Sequence, residues 1–164
     1  MKILLIGANG EIGKILHPAF AKNHEIVSAG RNSGDFRIDL SDSKSIEKLF
    51  EEVKNIDACI CVAGDCYTGD LLSLDEKKLN IGIQNKLLGQ INLVLVGQKY
   101  LNDNGSFTLT SGKMGDKPVK NNISKSIVNG GVNSFVLAAS LELERGIRIN
   151  GISTAKVADI LIED

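Results

Sequence analysis

Three glycines follow the first apolar run of the chain at a regular spacing. The run at 3–6 leads into Gly7-Ala8-Asn9-Gly10-Glu11-Ile12-Gly13, after which apolar residues recur at helical spacing. Gly7 permits a tight turn, Gly10 lets a phosphate approach the backbone, and Gly13 allows close packing of helix on strand. The start of the helix also presents N–H groups without helical partners. The segment predicts a β-α-β unit that holds a dinucleotide pyrophosphate, with Asn9 and Ile12 beside it.

Strands and helices alternate through the rest of the sequence. Apolar runs predict strands at 3–6, 25–29, 36–38, 57–62, 105–110 and 147–152. Helical periodicity predicts helices from Gly10, after a cap at Ser41 or Asp42, at 79–101 and at 123–143. The strands read as apolar rather than alternating, and the loops are short. This order predicts an α/β fold with a doubly wound parallel sheet (Rossmann fold) in three α/β/α layers, as a single domain over residues 1–164.

Composition argues against several classes of partner. The formal net charge of −1 provides no basic excess for nucleic acid. The amino-terminal apolar run ends at Gly7, too early for a signal peptide or a membrane span, so we expect a cytoplasmic protein without membrane contact.

The cysteines indicate reduced thiols. There are three of them, Cys59, Cys61 and Cys66, and an odd number in one segment argues against a disulfide framework. Cys59 and Cys61 share one face of a strand, while the two histidines lie far away in the sequence. We therefore expect no metal site.

The turn after the second predicted strand bears on the choice of cofactor. Many dinucleotide folds have an acidic residue there that binds ribose hydroxyls, whereas this chain has Gly30, Arg31, Asn32 and Ser33. A cation suits the 2′-phosphate of NADP, so Arg31 favours NADP over NAD, and Ser33 is expected to contact the cofactor as well. The alternative is that Arg31 is a solvated turn residue.

Further motifs follow the glycine turn in a characteristic order. They are Ile38-Asp39-Leu40, Cys61-Val62-Ala63-Gly64, Asn85, Thr110-Ser111-Gly112, Ser124-Lys125 and Arg145-Gly146-Ile147-Arg148-Ile149-Asn150. Together with the glycine turn they resemble the short-chain dehydrogenase/reductase family, over nearly the whole chain to about Thr154. The resemblance implies a single-domain oxidoreductase that binds a nicotinamide cofactor and a small-molecule substrate.

The resemblance also implies roles in cofactor binding and catalysis. Asp39 would contact adenine, and Ala63 and Gly64 would line the cofactor site. The catalytic group would contain Asn85, Ser111 and Lys125. In the family the serine orients the substrate, and the lysine holds the nicotinamide ribose and lowers the pKa of a tyrosine that donates the proton.

The proton-donating tyrosine of the family has no counterpart at its usual place. Asn121 stands four residues before Lys125, and its amide is neither an acid nor a base near neutral pH. The two tyrosines of the chain are Tyr67, on the loop after the fourth strand, and Tyr100, at the end of a helix. Tyr67 is one alternative donor and Lys125 itself is another.

The carboxyl end is a second departure from the family. Ser153-Thr154-Ala155 replaces the usual proline-glycine, and the chain stops at Asp164, so we expect a truncated relative or an incomplete chain. The two long helices form dimer contacts in the family, which implies a homodimer or homotetramer.

Three functional hypotheses stay open at this point. The first is an oxidoreductase that moves hydride between NADP(H) and a small carbonyl or alcohol. The second is a non-catalytic NADP(H)-binding or sensor protein, motivated by Asn121. The third is a remnant fold that binds no cofactor.

Overall fold

The computed structural model describes residues 1–154, which contain a parallel sheet of six strands. In chain order the strands are β1 (Lys2–Ile6), β2 (Glu25–Gly30), β3 (Phe36–Arg37), β4 (Ile56–Cys61), β5 (Leu101–Thr110) and β6 (Arg148–Ile152). They lie in the order β3-β2-β1-β4-β5-β6, and every neighbouring pair is parallel. The predicted doubly wound Rossmann sheet is thereby confirmed.

The helices are α1 (Gly13–Phe20), α2 (Ser43–Glu52), α3 (Glu76–Gly82), α4 (Gly89–Gly97) and α5 (Ile123–Ala139). A π-helical turn, Ile83–Leu88, joins α3 to α4, so the helix predicted at 79–101 is three consecutive segments. Asp42 caps α2, because its carboxylate accepts the Lys44 N–H at 2.9 Å. Within residues 1–154, no helix is long and apolar enough to cross a membrane.

The hydrophobic core lies between the sheet and the helices α2, α4 and α5. Right-handed crossovers in this strand order bring these three helices to one face and α1 to the other. Gly97 of α4 is packed so closely on Phe50 of α2 that a Cβ there would come within 2.5 Å of the ring. The buried cluster includes Leu4, Ile6, Ile46, Leu49, Phe50, Leu93, Phe107, Leu109 and Val132.

The last two strands differ from the sequence-based expectation, because their side chains alternate. Phe107 and Leu109 of β5 and Ile149 of β6 are buried, whereas Arg148 and Asn150 are exposed. The register pairs Phe107 with Ile149 and Thr108 with Asn150, so the apolar residues share one face and the polar residues share the other. The interpretation of every strand as uniformly apolar was therefore wrong for β5 and β6.

Helix α1 also buries less than its apolar periodicity suggests. The predicted stripe contained Ile12, Ile15, Leu16, Ala19 and Phe20. In the structure Ile15 is 45% exposed, and Gly13 is the buried residue of the helix. The contacts of α1 with β1 and β2 are close at its amino end, which is the end that matters for the site.

The turn between β2 and β3 is fixed by a pair of polar residues. The Asp35 carboxylate accepts hydrogen bonds from the backbone N–H and the hydroxyl of Ser28, both at 2.8 Å. The Asp35 N–H returns a bond to the Ser28 hydroxyl at 3.1 Å. These bonds hold the pKa of Asp35 below its ordinary value. The turn that carries Arg31 is thus held at both ends.

Candidate functional site

A cavity of about 610 Å³ opens where β1 and β4 end side by side. The chain leaves β1 toward β2 and leaves β4 toward β5, so no crossover covers the space between them. The wall is built from the glycine turn, the turn after β2, the segment after β3, the segment after β4 and the π turn. Its residues are Ile6, Gly7, Gly10, Glu11, Ile12, Gly30, Arg31, Asn32, Ile38, Leu40, Val62, Ala63, Gly64, Asp65 and Asn85.

The glycine turn is folded tightly on itself. Gly7 has φ +90°, and a Cβ there would lie 3.0 Å from the Cβ of Ala63. The Gly10 N–H donates to the Gly7 carbonyl at 3.0 Å. A Cβ on Gly13 would lie 2.6 Å from backbone atoms of Ala8, so the first residue of α1 touches the turn directly. Gly7 and Gly13 shape the turn, while Gly10 belongs to the cavity wall and a Cβ there would lie 3.3 Å from the Gly7 carbonyl oxygen.

The start of α1 provides free donors to the cavity. Within residues 1–154, the backbone N–H groups of Glu11 and Ile12 have no hydrogen-bond acceptor, and both residues line the cavity. Unpaired N–H groups at a helix start attract anions, because the helix dipole adds to them. Asn9 is exposed beside them and does not belong to the cavity wall.

Arg31 stands at the mouth of the cavity. Its Nη2 donates to Oδ1 of Asn85 at 2.6 Å, and its Nη1 lies 3.8 Å from Oδ2 of Asp65. The side chains of Arg31 and Asp65 are 52% and 73% exposed, so this ion pair contributes little and the guanidinium is free to change partners. Ser33 follows in the same turn, beneath Gly30, and does not line the cavity.

Asp39 lies beside the cavity residues Ile38 and Leu40. Its Oδ1 accepts the backbone N–H and the hydroxyl of Ser41, at 2.9 and 2.7 Å. These bonds keep the pKa of Asp39 below its ordinary value, so the group is a carboxylate at neutral pH. Its second oxygen has no partner within residues 1–154.

The three residues expected to form a catalytic group are not joined by hydrogen bonds within residues 1–154. The Asn85 amide donates to the Ile81 carbonyl at 2.9 Å and accepts from Arg31, so it faces the nucleotide cavity. Ser111 is 3% exposed, and its hydroxyl makes one long contact of 3.5 Å with the Ile152 carbonyl. Lys125 is half-buried in the first turn of α5.

The backbone at position 121, where the family has its tyrosine, has a conformation that suits asparagine. Asn121 is exposed with φ +65°, a left-handed conformation that asparagine tolerates better than tyrosine. Its carbonyl accepts the Gly69 N–H at 2.9 Å.

Both tyrosines of the chain have structural contacts. The Tyr67 hydroxyl lies 3.1 Å from the Ser73 hydroxyl in the same loop, and the Lys78 ammonium lies 5.1 Å from the ring centre. Tyr100 stacks on Phe50 with ring centres 5.7 Å apart. Tyr67 is therefore paired within its own loop.

Lys86 is the site residue that the sequence did not single out. Its Nζ donates to the Ser111 carbonyl at 2.9 Å and to Oδ1 of Asn129 in α5 at 2.8 Å. A Cβ on Gly64 would lie 2.7 Å from Cγ of Lys86, so the lysine stem runs directly over Gly64. Burial lowers the pKa of Lys86 from its ordinary value. The one available signal was a charged residue directly after Asn85 in a mostly apolar helical segment.

The cysteines are thiols. Cys59 and Cys61 are buried free thiols, the Cys61 thiol donates to the Ala63 carbonyl at 3.7 Å, and Cys66 is half-buried in the loop after β4. Burial raises the pKa of Cys61 to about 11. Within residues 1–154, no group of histidine, cysteine and carboxylate side chains could hold a metal ion.

A parallel sheet with a glycine turn and a polar-rimmed cavity at its reversal point defines a dinucleotide-binding protein of the Rossmann class. The sequence matches a family model described as enoyl-(acyl carrier protein) reductase over residues 15–160. The chain belongs to the short-chain dehydrogenase/reductase family. No curated protein matches the sequence.

Several solved structures superimpose on the chain. Protein lin1944 from Listeria innocua is 44% identical, with a TM-score of 0.91 over 93% of this chain and 76% of that protein. A small-chain dehydrogenase is 28% identical, with a TM-score of 0.88 over 98% and 85% of the two chains. A small-chain dehydrogenase in complex with NADPH is 28% identical, with a TM-score of 0.85 over 93% and 69%.

Substitution of Gly10 and of Gly13 by alanine should have opposite consequences. Gly10→Ala adds a methyl group to the cavity wall, 3.3 Å from the Gly7 carbonyl oxygen, so we expect a loss of at most about 1 kcal/mol of stability and an affinity for NADPH at least about tenfold lower. Gly13→Ala forces a methyl group into the backbone of the turn, so we expect a loss of about 1–3 kcal/mol of stability. Thermal unfolding and calorimetric titration measure the two effects. Equal behaviour of the two variants would contradict this account of the turn.

Proposed function

We propose that the protein is an oxidoreductase that transfers hydride between NADP(H) and a small carbonyl or alcohol. The observation that carries the proposal is the cavity bounded by the glycine turn, the free N–H groups of α1 and Arg31. The NADPH complex of the 28% identical small-chain dehydrogenase supports the choice of cofactor. When bound, the nicotinamide would supply or accept the hydride.

The residues of the cavity fit the parts of this cofactor. The N–H groups of Glu11 and Ile12, beside Gly7 and Gly10, would hold the pyrophosphate. Adenine would lie between Ile38 and Leu40, with its amino group directed to the free oxygen of Asp39. Ala63 and Gly64 would flank the nicotinamide ribose at the end of β4.

Arg31 would bind the 2′-phosphate that distinguishes NADP from NAD. A phosphate accepts charge-assisted hydrogen bonds from a guanidinium, and these are stronger than the exposed bonds that Arg31 makes with Asn85 and Asp65. Cofactor binding would therefore draw Arg31 away from Asn85. Ser33, in the same turn, would be a second donor to this phosphate after a local adjustment.

The substrate would bind above Gly64, toward β5 and α5. Ser111 has a hydroxyl with one weak partner, so it can turn to a substrate oxygen. Lys125 would contact the ribose hydroxyls, as its place in the family motif implies. The side-chain amide of Asn85 is already bonded to Ile81 and Arg31. Asn85 would therefore contribute to the site through its backbone groups in the π turn.

A non-catalytic NADP(H)-binding protein is the second candidate. One observation favours it: Asn121 replaces the proton-donating tyrosine, and its left-handed backbone is unsuited to tyrosine. In that case the cavity would still bind NADP(H). The loop after β4 would contact a partner protein differently when NADP(H) is bound and when it is absent.

We also propose that the protein is a homodimer that pairs through α4 and α5. A groove between these helices is lined by Val94, Leu95, Phe135, Ala138, Ala139 and Leu143. Leu137 of α5 and Leu141, which follows this helix, are 71% and 86% exposed. Apolar side chains of this size on adjoining helices are typical of a surface that a second copy covers.

Replacement of Arg31 by alanine should weaken binding of NADPH and leave binding of NADH unchanged. Loss of a charge-assisted bond to the 2′-phosphate is expected to lower NADPH affinity by about tenfold to a hundredfold. Isothermal titration calorimetry measures both affinities. Arg148→Ala removes an exposed arginine on β6 and is the matched control. Equal losses for NADPH and NADH would contradict a role in cofactor choice.

Turnover decides between the two candidate functions. We expect the protein to oxidise NADPH with at least one member of a panel of aldehydes, ketones and quinones, followed by absorbance at the nicotinamide band. Ser111→Ala should lower that rate by at least about tenfold while NADPH affinity is retained, because one substrate hydrogen bond is lost. Tight NADPH binding without turnover on any of these carbonyls would favour the non-catalytic protein.

Substitution of Leu95 by glutamate should dissociate the dimer. Leu95 lines the groove between α4 and α5, and a carboxylate buried there would oppose association. Leu72→Glu is the matched control, because Leu72 is 99% exposed on a distant loop. Light scattering after size exclusion should give a dimer mass for the unmodified protein and the control, and a monomer mass for Leu95→Glu. A monomeric unmodified protein would rule the dimer out.

A further inference from the structure

The side chain of Lys86 has room beside residue 64 only because that residue is a glycine. Its stem crosses Gly64, and the Cβ, Cγ and Cδ atoms would all lie within 3.0 Å of a Cβ at that position. Gly64 lines the nucleotide cavity at the end of β4. The lysine stem therefore lies against Gly64, a residue of the cavity wall beside which the nicotinamide ribose is proposed to lie, while Lys86 itself lies behind that wall.

The ammonium group of Lys86 is held by two neutral carbonyl groups. The Ser111 carbonyl and the Asn129 side-chain carbonyl accept two of its three N–H donors, at 2.9 and 2.8 Å. The third donor has no partner within residues 1–154. No carboxylate pairs with Lys86 in this part of the chain, so its proton is not locked in an ion pair.

We infer that Lys86 is the proton donor of the active site, and that it takes the place of the absent tyrosine by protonating the substrate carbonyl oxygen. The inference rests on the proposed oxidoreductase function and adds a catalytic residue to it. Three contacts carry it: the stem on Gly64, the bond to Ser111 and the bond to Asn129.

The step balances without a further reagent. In reduction, the carbonyl carbon would receive a hydride with its two electrons, which a bound reduced nicotinamide would supply by breaking a C–H bond, and a new C–H bond would form. The carbonyl π bond breaks, and the oxygen takes a proton from Nζ of Lys86 as that N–H bond breaks. The products are an alcohol, the oxidised nicotinamide and a neutral Lys86 amine, which solvent reprotonates. Alcohol oxidation follows the reverse course with the neutral amine as base.

The other candidate donors are less well placed. Tyr67 shares its hydroxyl with Ser73 inside the loop after β4. Asn121 has no acidic proton. Lys125 makes no hydrogen bond with Ser111 within residues 1–154, whereas Lys86 bonds to that residue directly. Lys125 thus keeps its proposed contact with ribose, and the two lysines divide the work that a tyrosine and a lysine perform in the family.

The groups facing Lys86 set the direction of its pH dependence. They are the thiols of Cys61 in β4 and Cys66 in the following loop, and the ammonium of Lys125 in α5. Burial of Lys86 is the largest influence and lowers its pKa. The acid form is the donor, so carbonyl reduction should fall as the pH rises through the pKa of Lys86. Alcohol oxidation should rise over the same range.

Lys86→Arg tests the role directly. Arginine retains the charge and the hydrogen bonds but gives up no proton, since its pKa exceeds about 12. We expect NADPH affinity to be retained and turnover with the carbonyl panel to fall by about a hundredfold or more. Lys99→Arg, on an exposed lysine after α4, is the matched control and should keep full activity. Unchanged turnover in Lys86→Arg would overturn the inference.

Asn129→Asp provides a second test that does not remove the lysine. A carboxylate at the position of the amide favours the charged form of Lys86, so the fall in reduction rate should move to higher pH by about one unit or more. The 13Cε chemical shift of Lys86, in uniformly 13C,15N-labelled protein and assigned from its connection to the backbone resonances, reports the same pKa without turnover. The signal should also shift when NADP⁺ saturates the unmodified protein. If Lys86→Arg fails to fold, this variant and this signal decide the matter.

The outcomes separate this inference from the proposed function. Full turnover in Lys86→Arg, or a Lys86 signal that ignores bound NADP⁺, overturns the inference and leaves the oxidoreductase function intact. A pH profile that does not move in Asn129→Asp also counts against Lys86 alone. Failure of the unmodified protein to bind NADP(H), or to reduce any carbonyl of the panel, overturns both.

Discussion

The side-by-side ends of β1 and β4 are the constraint on which the rest of the site depends. Because the chain departs from these strands in opposite directions, the sheet leaves an open space above them. Gly7 and Ala63 touch across this space, so the glycine turn and the segment after β4 are held at a fixed separation. The donors at the start of α1 follow the glycine turn, and the stem of Lys86 lies against Gly64, the residue after Ala63.

The sequence was informative wherever a residue acts through local backbone geometry. Gly7 and Gly13 follow a strand and begin a helix, and the structure places both in the turn that this spacing predicts. Strand order and the reversal point follow from the alternation of strands and helices with right-handed crossovers. Arg31 was identified for the same reason, because it lies in the turn at the end of β2 and this turn lines the cavity.

The catalytic side of the site was less accessible to sequence reasoning. Periodicity assumes 3.6 residues per turn, and the π turn at Ile83–Leu88 breaks that assumption just where Asn85 and Lys86 lie. The contact of Lys86 with Asn129 joins residues far apart in the chain, and no local pattern encodes it. The alternation of buried and partly exposed residues in β5 was hard to predict for a related reason. Ser106 and Thr108 lie between apolar neighbours, and this pattern does not show which face of the sheet lacks a helix over it.

The π turn makes the identity of the site sensitive to chain length as well as to side-chain chemistry. A helix that accommodates one extra residue in a widened turn returns to regular geometry when that residue is deleted, and the residues beyond it rotate by about 100° relative to those before it. A single deletion within Ile83–Leu88 would thus exchange the side chain presented over Gly64 without altering any residue of the sheet. The length of this short segment would thus determine which side chain lies over Gly64 independently of the glycine turn that binds the nucleotide.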